Sequence, residues 1–316
     1  MYTKRRQNKI AGSRFALPVT GCIALGIWLI AMFLNPMQTM TNSSIWTSSV
    51  LFAISTYLII LLNNYNALIR TYSRMVSCSF IIIGCMCTPL FTSHTPYIVQ
   101  LCLIAFYLIL FSCYQDKRSP GKVFYAFLFI GIASYFFPQI LYFVPFVWIM
   151  MTFNLMTFSS RIFWASLCGI ALPYWFMLSY SIFTGKMELI QSHFTRLTEF
   201  EIPVNLDNIS THQAITFAFI LILTITGIIH FLNNSFQDKI RTRMLYEIFI
   251  TMSILCNVFI ILQPQHYDIL LAIQAVNTSA LIAHFIALTH TRITNISFHI
   301  IVIISFLLIA YNIWMP

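Results

Sequence analysis

Residues 119–183 read SPGKVFYAFLFIGIASYFFPQILYFVPFVWIMMTFNLMTFSSRIFWASLCGIALPYWFMLSYSIF, and they contain three apolar segments with a break between the first two. The first segment, residues 123–137, would form a helix about 22 Å long, whereas the hydrocarbon core of a bilayer is about 30 Å thick. Pro138 disfavours a helical Phe137 and has no N–H group, so the chain is expected to turn at residues 137–139. This stretch predicts a broken hairpin over residues 123–158 and a full span over residues 162–183, with most other spans packed around them.

The composition of the whole chain is that of a membrane protein. Of its 316 residues, 59% are hydrophobic and only 8% are charged, and the mean hydropathy is +0.83. A soluble domain has about a quarter of its residues charged. Several uncharged windows are long enough to cross a bilayer. The fold class is therefore predicted to be all-α, a polytopic transmembrane helix bundle that forms a single domain over residues 1–316.

The charges of the loops predict the number of spans and their orientation. Fifteen of the 17 Lys and Arg residues precede the first segment or lie in alternate loops, and the opposite loops hold only Lys186 and Arg196. By the positive-inside rule the N-terminus is expected in the cytoplasm and the C-terminus outside. This placement argues against a nucleic-acid partner despite the net charge of +9. About eleven spans are predicted, at residues 15–34, 45–62, 75–91, 97–113, 123–137, 140–158, 162–183, 214–232, 244–262, 269–288 and 297–314.

The outer loop, residues 184–213, is predicted to carry an interfacial helix. Within residues 186–199, one face of a helix would hold Met187, Ile190, Phe194 and Leu197. These four side chains are expected to be shielded, while Glu188 and Gln191 on other faces are expected to be exposed. Such a helix is either a lid over a cavity or a structural flap that closes the outer surface.

The break in the hairpin is the candidate site. Irregular backbone within the membrane must be buried in protein or line a water-filled cavity, so the turn predicts a hydrated, outward-facing pocket covered by the interfacial helix. The alternative is a thin region with ordinary aromatic anchoring. The candidate pocket residues are Tyr135, Pro138, Gln139, Tyr142, His193, Arg196, His266 and Asp268.

No motif predicts a cofactor or a metal site. The eight Cys residues lie in or beside apolar segments, without the spacing of metal ligands. No charged residue lies near the middle of a span, which argues against ion-coupled transport. In the tenth span Gln274, Asn277 and His284 share one helical face, which is expected to point into the bundle.

Two motifs carry a resemblance to a known family. The segments IGIASYFFPQILYFVPFVWI (residues 130–149) and SRIFWASLCGIALPYW (residues 160–175) resemble a family of uncharacterised Bacteroidota polytopic inner-membrane proteins. The resemblance implies a bacterial cytoplasmic (inner) membrane and no particular activity. The hairpin also distantly resembles polytopic glycosyltransferases that use lipid phosphosugars. Those enzymes carry acidic residues in the first outer loop, whereas residues 35–44, NPMQTMTNSS, have none.

Three functions remain open at this point. The first is an enzyme or enzyme-like protein that handles a lipid-linked or envelope-glycan substrate at an outward-facing cavity. The second is a non-enzymatic subunit or scaffold of an envelope assembly, and the third is a transporter. The expected partners are the lipid bilayer together with a lipid-linked substrate or other envelope proteins.

Overall fold

The computed structural model describes residues 5–34, 43–87, 91, 93–200 and 209–314, and within these ranges all regular structure is helical. Short 3-10 helices lie at Pro138–Phe143, Ser235–Gln237 and Pro264–His266. The α-helices are α1 (Arg6–Ala11), α2 (Ala16–Leu34), α3 (Ser43–Asn66), α4 (Met75–Met86), α5 (Thr95–Phe111), α6 (Pro120–Phe136), α7 (Val144–Phe153), α8 (Ser160–Thr184), α9 (Glu188–Thr198), α10 (Thr211–Asn234), α11 (Ile240–Leu262), α12 (Tyr267–Leu288) and α13 (Arg292–Trp314).

The predicted all-helical architecture is confirmed, and its long apolar helices support a multi-pass membrane protein. Seven helices of the described chain are long and apolar enough to cross a bilayer, namely α2, α3, α8 and α10 to α13. Four further apolar stretches are shorter: α4, α5, α6, and the 3-10 turn together with α7. Each predicted span thus coincides with a helical segment. The count of eleven crossings and their orientation stay predictions.

The bundle is organised around α12, and the expectation that it would be organised around residues 119–183 was wrong. All of the 22 residues of α12 are buried except Asp268, Ile269 and Phe285. Small side chains permit this burial, because they let neighbouring helices approach closely. At Gly227 of α10, for example, an added Cβ would lie 2.8 Å from the carbonyl carbon of Leu281.

The polar face of α12 points into the bundle, as its spacing predicted. The Gln274 side chain donates hydrogen bonds to Ser253 of α11 at 2.7 Å and to Thr224 of α10 at 3.1 Å. Asn277 accepts a hydrogen bond from the Tyr107 hydroxyl at 2.9 Å. These polar groups tie helices together inside a protein core, which is the commoner role of such residues in membranes.

The two ends of the bundle differ in charge. We call one end the basic face; there Arg241 donates to Asn66 and to the Phe111 carbonyl, and Arg70 lies 4.0 Å from Asp238. We call the other end the corner face; it is formed by the turn Pro138–Phe143, by α9 and by the turn Pro264–His266. Loops that were predicted to share a side of the membrane contact one another at the same end of the bundle.

The break in the hairpin lies where the sequence predicted. Helix α6 stops at Phe136, Phe137 leaves the helical region, and Pro138 begins the 3-10 turn. Helices α6 and α8 cross closely at two glycines. An added Cβ at Gly169 would lie 2.5 Å from the Phe124 carbonyl oxygen, and one at Gly131 would lie 2.9 Å from the Ile170 carbonyl oxygen. This crossing fixes the position of the C-terminal half of α8 beside the turn Pro138–Phe143.

Candidate functional site

Helix α9 folds back from the end of α8 towards the turn Pro138–Phe143. Gly185 ends α8 in the left-handed conformation with φ of 69°, and the Lys186 N–H bonds to the Ser181 carbonyl at 3.0 Å. A residue with a Cβ would be strained in this conformation, so glycine permits the reversal. The predicted amphipathic helix is therefore present, over Glu188–Thr198.

The buried face of α9 differs from the predicted one. Glu188 and Gln191 are exposed as expected, but Met187 and Phe194 are 53% and 46% exposed. The residue that points into the protein is His193, with Ile190 and Leu197 half-buried on the same side. Since His193 meets the Tyr174 hydroxyl of α8, a polar contact sets the rotation of the helix, and the apolar stripe is only partly covered.

The turn Pro138–Phe143 holds the C-terminal end of α9. The Gln139 amide donates to the Arg196 carbonyl at 2.9 Å, and the Tyr142 hydroxyl donates to the Leu197 carbonyl. The last carbonyls of a helix have no partner within it, so these bonds satisfy groups that would otherwise need water. Gln139 and Tyr142 were predicted as pocket residues, but their polar groups hold α9 instead. Pro138 and Gln139 are buried, and neither lines the cavity described next.

A cavity of about 760 Å³ lies between α6, α8 and α9. It contains three of the predicted residues, namely Tyr135, His193 and Arg196. Along α6 it extends from Leu128 to Phe136, about 12 Å at 1.5 Å per residue. Its wall along this length is apolar, while its polar groups lie towards α9. The lining residues are Leu128, Ile132, Tyr135, Phe136, Leu172, Pro173, Phe176, Met177, Tyr180, Ser181, Ser192, His193 and Arg196.

A directed chain of hydrogen bonds orients His193. The Ser134 hydroxyl donates to the Gly131 carbonyl at 2.7 Å, and the Tyr174 hydroxyl donates to Ser134 at 2.8 Å. The Tyr174 oxygen is then the acceptor for His193 Nε2–H, 3.3 Å away. In a neutral imidazole the other nitrogen has no proton. His193 Nδ1 is therefore the ring nitrogen left to accept a hydrogen bond from a group in the cavity.

His193 is held in its neutral form. Burial lowers the pKa of the imidazole below its usual value, and the positive charge of Arg196 lowers it further. Arg196 follows His193 by one helical turn, lines the same cavity and is itself exposed. The polar end of the cavity thus combines a cation that can bind an anion with a neutral imidazole that can accept a proton.

Ser181 is a further polar group of this cavity. It lies on α8 and is fully buried, and its hydroxyl has no hydrogen-bond partner among the described residues. Buried hydroxyls are normally paired, because an unpaired one costs free energy. The Ser181 hydroxyl is therefore an unpaired buried donor beside the cavity.

The structure does not bring His266 and Asp268 into this cavity. The His266 ring packs edge-on against Phe137, with the centroids 5.2 Å apart, and also lies against Phe259. Asp268 lies at the start of α12, in a separate small cleft beside His212 and Tyr267. The eight predicted residues therefore divide into three in the cavity, three in the support of α9, and two elsewhere.

Several polar residues of the site were not predicted from the sequence. Ser134, Tyr174, Ser181 and Ser192 lie in or beside the cavity, but their pairing depends on how α6, α8 and α9 cross, and no local pattern encodes that. Residues 201–208 of the predicted outer loop, like residues 35–42, lie outside the described residues. Among the residues that the structure describes, no group of three His, Cys, Asp or Glu side chains could hold a metal ion.

No protein-family model, no curated protein and no solved structure matches this chain.

Proposed function

We propose that this protein binds a lipid with a phosphate-bearing headgroup, such as a lipid-linked glycan precursor, in the cavity between α6, α8 and α9. In this proposal the chain crosses the cytoplasmic membrane of a bacterium eleven times, and the corner face is the outer one. One observation carries the proposal: a single cavity joins an apolar groove to a polar end that contains Arg196 and His193. Like a lipid, this cavity has a long apolar part and a polar end.

The length of the apolar groove supports a lipid rather than a water-soluble ligand. The groove runs for about 12 Å along α6, while one leaflet of the hydrocarbon core is about 15 Å thick. Leu128, Ile132 and Leu172 line its deeper part. A soluble sugar or nucleotide gains nothing from this wall, whereas a hydrocarbon chain is stabilised by about 25 cal/mol for each Å² that it buries.

The polar end suits a phosphate group. Arg196 can donate two parallel hydrogen bonds to phosphate oxygens, and the Ser181 hydroxyl is a further unpaired donor nearby in the same cavity. His193 Nδ1 can accept a hydrogen bond from a hydroxyl group of the bound molecule. If the protein is an enzyme, this nitrogen is the base that would take the proton of an attacking hydroxyl.

Lipid binding by the purified protein tests the proposal, with native mass spectrometry against a polyprenyl phosphate and, for comparison, the uncharged polyprenol. Arg196→Gln is expected to weaken the phosphate complex about 10- to 150-fold, because hydrogen bonds to charged groups contribute about 1.5–3 kcal/mol. Binding of the polyprenol should change little. Lys186→Gln is the matched control, since Lys186 belongs to the same loop but does not line the cavity.

Equal phosphate binding by the wild type and Arg196→Gln would contradict the proposed headgroup site. Failure of the wild type to bind either lipid would contradict the lipid proposal as a whole.

A second candidate function is that of a membrane subunit or scaffold in an envelope assembly. The exposed face of α8 favours it. Trp164, Trp175 and Phe183 of this helix are 65%, 65% and 92% exposed. Aromatic side chains are common anchors of protein interfaces, so this face suits a partner subunit. Replacement of Trp175 and Phe183 by Ala tests this alternative. The change should release a partner subunit without affecting lipid binding, and unchanged assembly would contradict it.

A further inference from the structure

A second apolar cavity lies on the opposite half of the bundle, between α2 and α13. We call it the α2–α13 slot; it has a volume of about 400 Å³. Val19 of α2 and Val302 of α13 form its two sides. Its back wall comes from the interior helices, with Ile82 of α4, Leu223 of α10 and Ile286 of α12. The slot is thus a gap between two helices of the perimeter that reaches the core of the bundle.

Helix α1 forms the end of the slot at the basic face. The Gln7 side chain is buried and donates to the Ile286 carbonyl and to Thr289 Oγ1, both at 2.7 Å. Ser73 Oγ donates to the Ala11 carbonyl at 2.8 Å. Because both ends of α1 are fastened, Ile10 and the following Ser13 form a fixed end wall of the slot. The slot is part of the folded structure rather than a gap beside a loose terminus.

The charge around this end of the slot is positive. Lys9 and Arg14 precede and follow the α1 residues of the slot, and Arg292 begins α13. All three are exposed. The described parts of α1, α2 and α13 contain no Asp or Glu. An anionic group at the mouth would therefore meet several cations and no carboxylate from these helices.

The charge at the mouth of the slot favours one of two apolar occupants. An apolar helix of another subunit would offer the exposed Lys9, Arg14 and Arg292 no opposite charge, whereas an anionic phospholipid brings its own phosphate. Its hydrocarbon chain suits the aliphatic lining of the slot.

We propose that the α2–α13 slot is a specific site for an anionic phospholipid of the leaflet at the basic face. An acyl chain lies between Val19 and Val302, and the phosphate lies near Arg14 and Lys9. This site is separate from the cavity at the corner face and does not depend on the function proposed for it. The bound lipid joins α1, α2 and α13 to the core helices through a surface that they otherwise leave unfilled.

Native mass spectrometry of the protein with phosphatidylglycerol or phosphatidylcholine tests the site. The wild type is expected to retain phosphatidylglycerol in preference to phosphatidylcholine. Val19→Trp fills the slot and is expected to abolish this preferential retention. Ile300→Trp is the matched control; Ile300 is a comparably exposed residue of α13 that does not line the slot, with an exposure of 50% against 54% for Val19. Arg14→Gln is expected to weaken phosphatidylglycerol binding about fivefold, as one basic residue near an anionic surface contributes about 1 kcal/mol.

Two results would overturn the proposal. One is equal retention of the two lipids by the wild type, which would indicate ordinary solvation by lipid. The other is unchanged phosphatidylglycerol retention in both Val19→Trp and Arg14→Gln. Since Arg14 is an exposed charge at the surface, its replacement keeps the test decisive if the Trp variant fails to fold. A wild-type dimer that Val19→Trp dissociates, without a change in lipid retention, would assign the slot to a second copy of the chain.

Discussion

The crossing of α6 and α8 at Gly169 gives a quantitative prediction, because this crossing positions both long walls of the candidate site. In Gly169→Ala the new Cβ would lie 2.5 Å from the Phe124 carbonyl oxygen and 3.1 Å from the Leu128 nitrogen. Real Cβ atoms essentially never come closer than 3.0 Å. The helices must therefore separate by at least about 0.5 Å, since backbone atoms cannot rotate away as a side chain can. Overpacking of this kind costs about 1–3 kcal/mol.

Thermal unfolding in detergent, followed by size-exclusion chromatography, measures this cost. Gly26→Ala is the matched control, because Gly26 also lies inside a helix and its added Cβ would meet nothing within 4 Å. The control should be neutral or stabilised by up to about 1 kcal/mol, owing to the higher helix propensity of Ala. Gly169→Ala should unfold at a lower temperature than both the wild type and the control. If the two variants are equally stable, the close crossing of α6 and α8 is wrong.

Three further predictions concern the corner face. Gln139→Leu removes one hydrogen bond to α9, which contributes about 1 kcal/mol. Amide exchange of residues 188–198 should therefore become about fivefold faster. Tyr125→Phe, on the far part of α6, is the control and should leave the exchange rate unchanged. His193 has a lowered pKa when folded, so the unfolded state binds more protons. Protection of α9 against amide exchange should therefore be complete above pH 6.5 and decrease below it. His193→Gln should remove this pH dependence. Protection that does not vary with pH in the wild type would contradict the buried imidazole. Reporter fusions after Phe183 should lie outside and fusions after Arg243 in the cytoplasm; a cytoplasmic Phe183 fusion contradicts the proposed orientation.

The parts of the fold that were predictable from the sequence depend on local chemistry. Pro138 has no N–H group and restricts Phe137, so the end of α6 could be placed to within a residue. The spacing of Gln274, Asn277 and His284 put them on one helical face, and polar groups in a membrane face protein. The length of the apolar runs gave the helical class, since a helix satisfies all its own backbone groups in lipid.

The parts that were missed depend on contacts between distant segments. The rotation of α9 is set by the bond from His193 to Tyr174, and hydrophobic periodicity within α9 does not contain that information. Asp238 lies in the short connection between α10 and α11, yet it is buried and lies 2.8 Å from Nε2 of His284 on α12. A charge in a loop and a charge in a core look the same in sequence when the core is completed by helices far along the chain.

The central position of α12 was also not predictable, because its mean hydropathy of 1.8 lies within the range of the other candidate spans. All the candidate spans are apolar enough to face lipid. What distinguishes α12 is that nearly every side of it is covered by another helix, and coverage is a property of the assembled bundle. The most conspicuous sequence feature, the broken hairpin, instead lies beside this core and shapes the candidate site.

A structure of the protein determined in native lipid would show directly whether the cavity between α6, α8 and α9 holds a lipid. We expect an elongated density between α6 and α8, with a phosphate-sized end within hydrogen-bonding distance of Arg196 and a tail that passes Ile132 towards Leu128. The same map should keep α9 on Gln139 and Tyr142. A cavity that holds only water, or one that α9 closes by packing Phe194 against α6, would contradict the claim that this site binds a lipid phosphate.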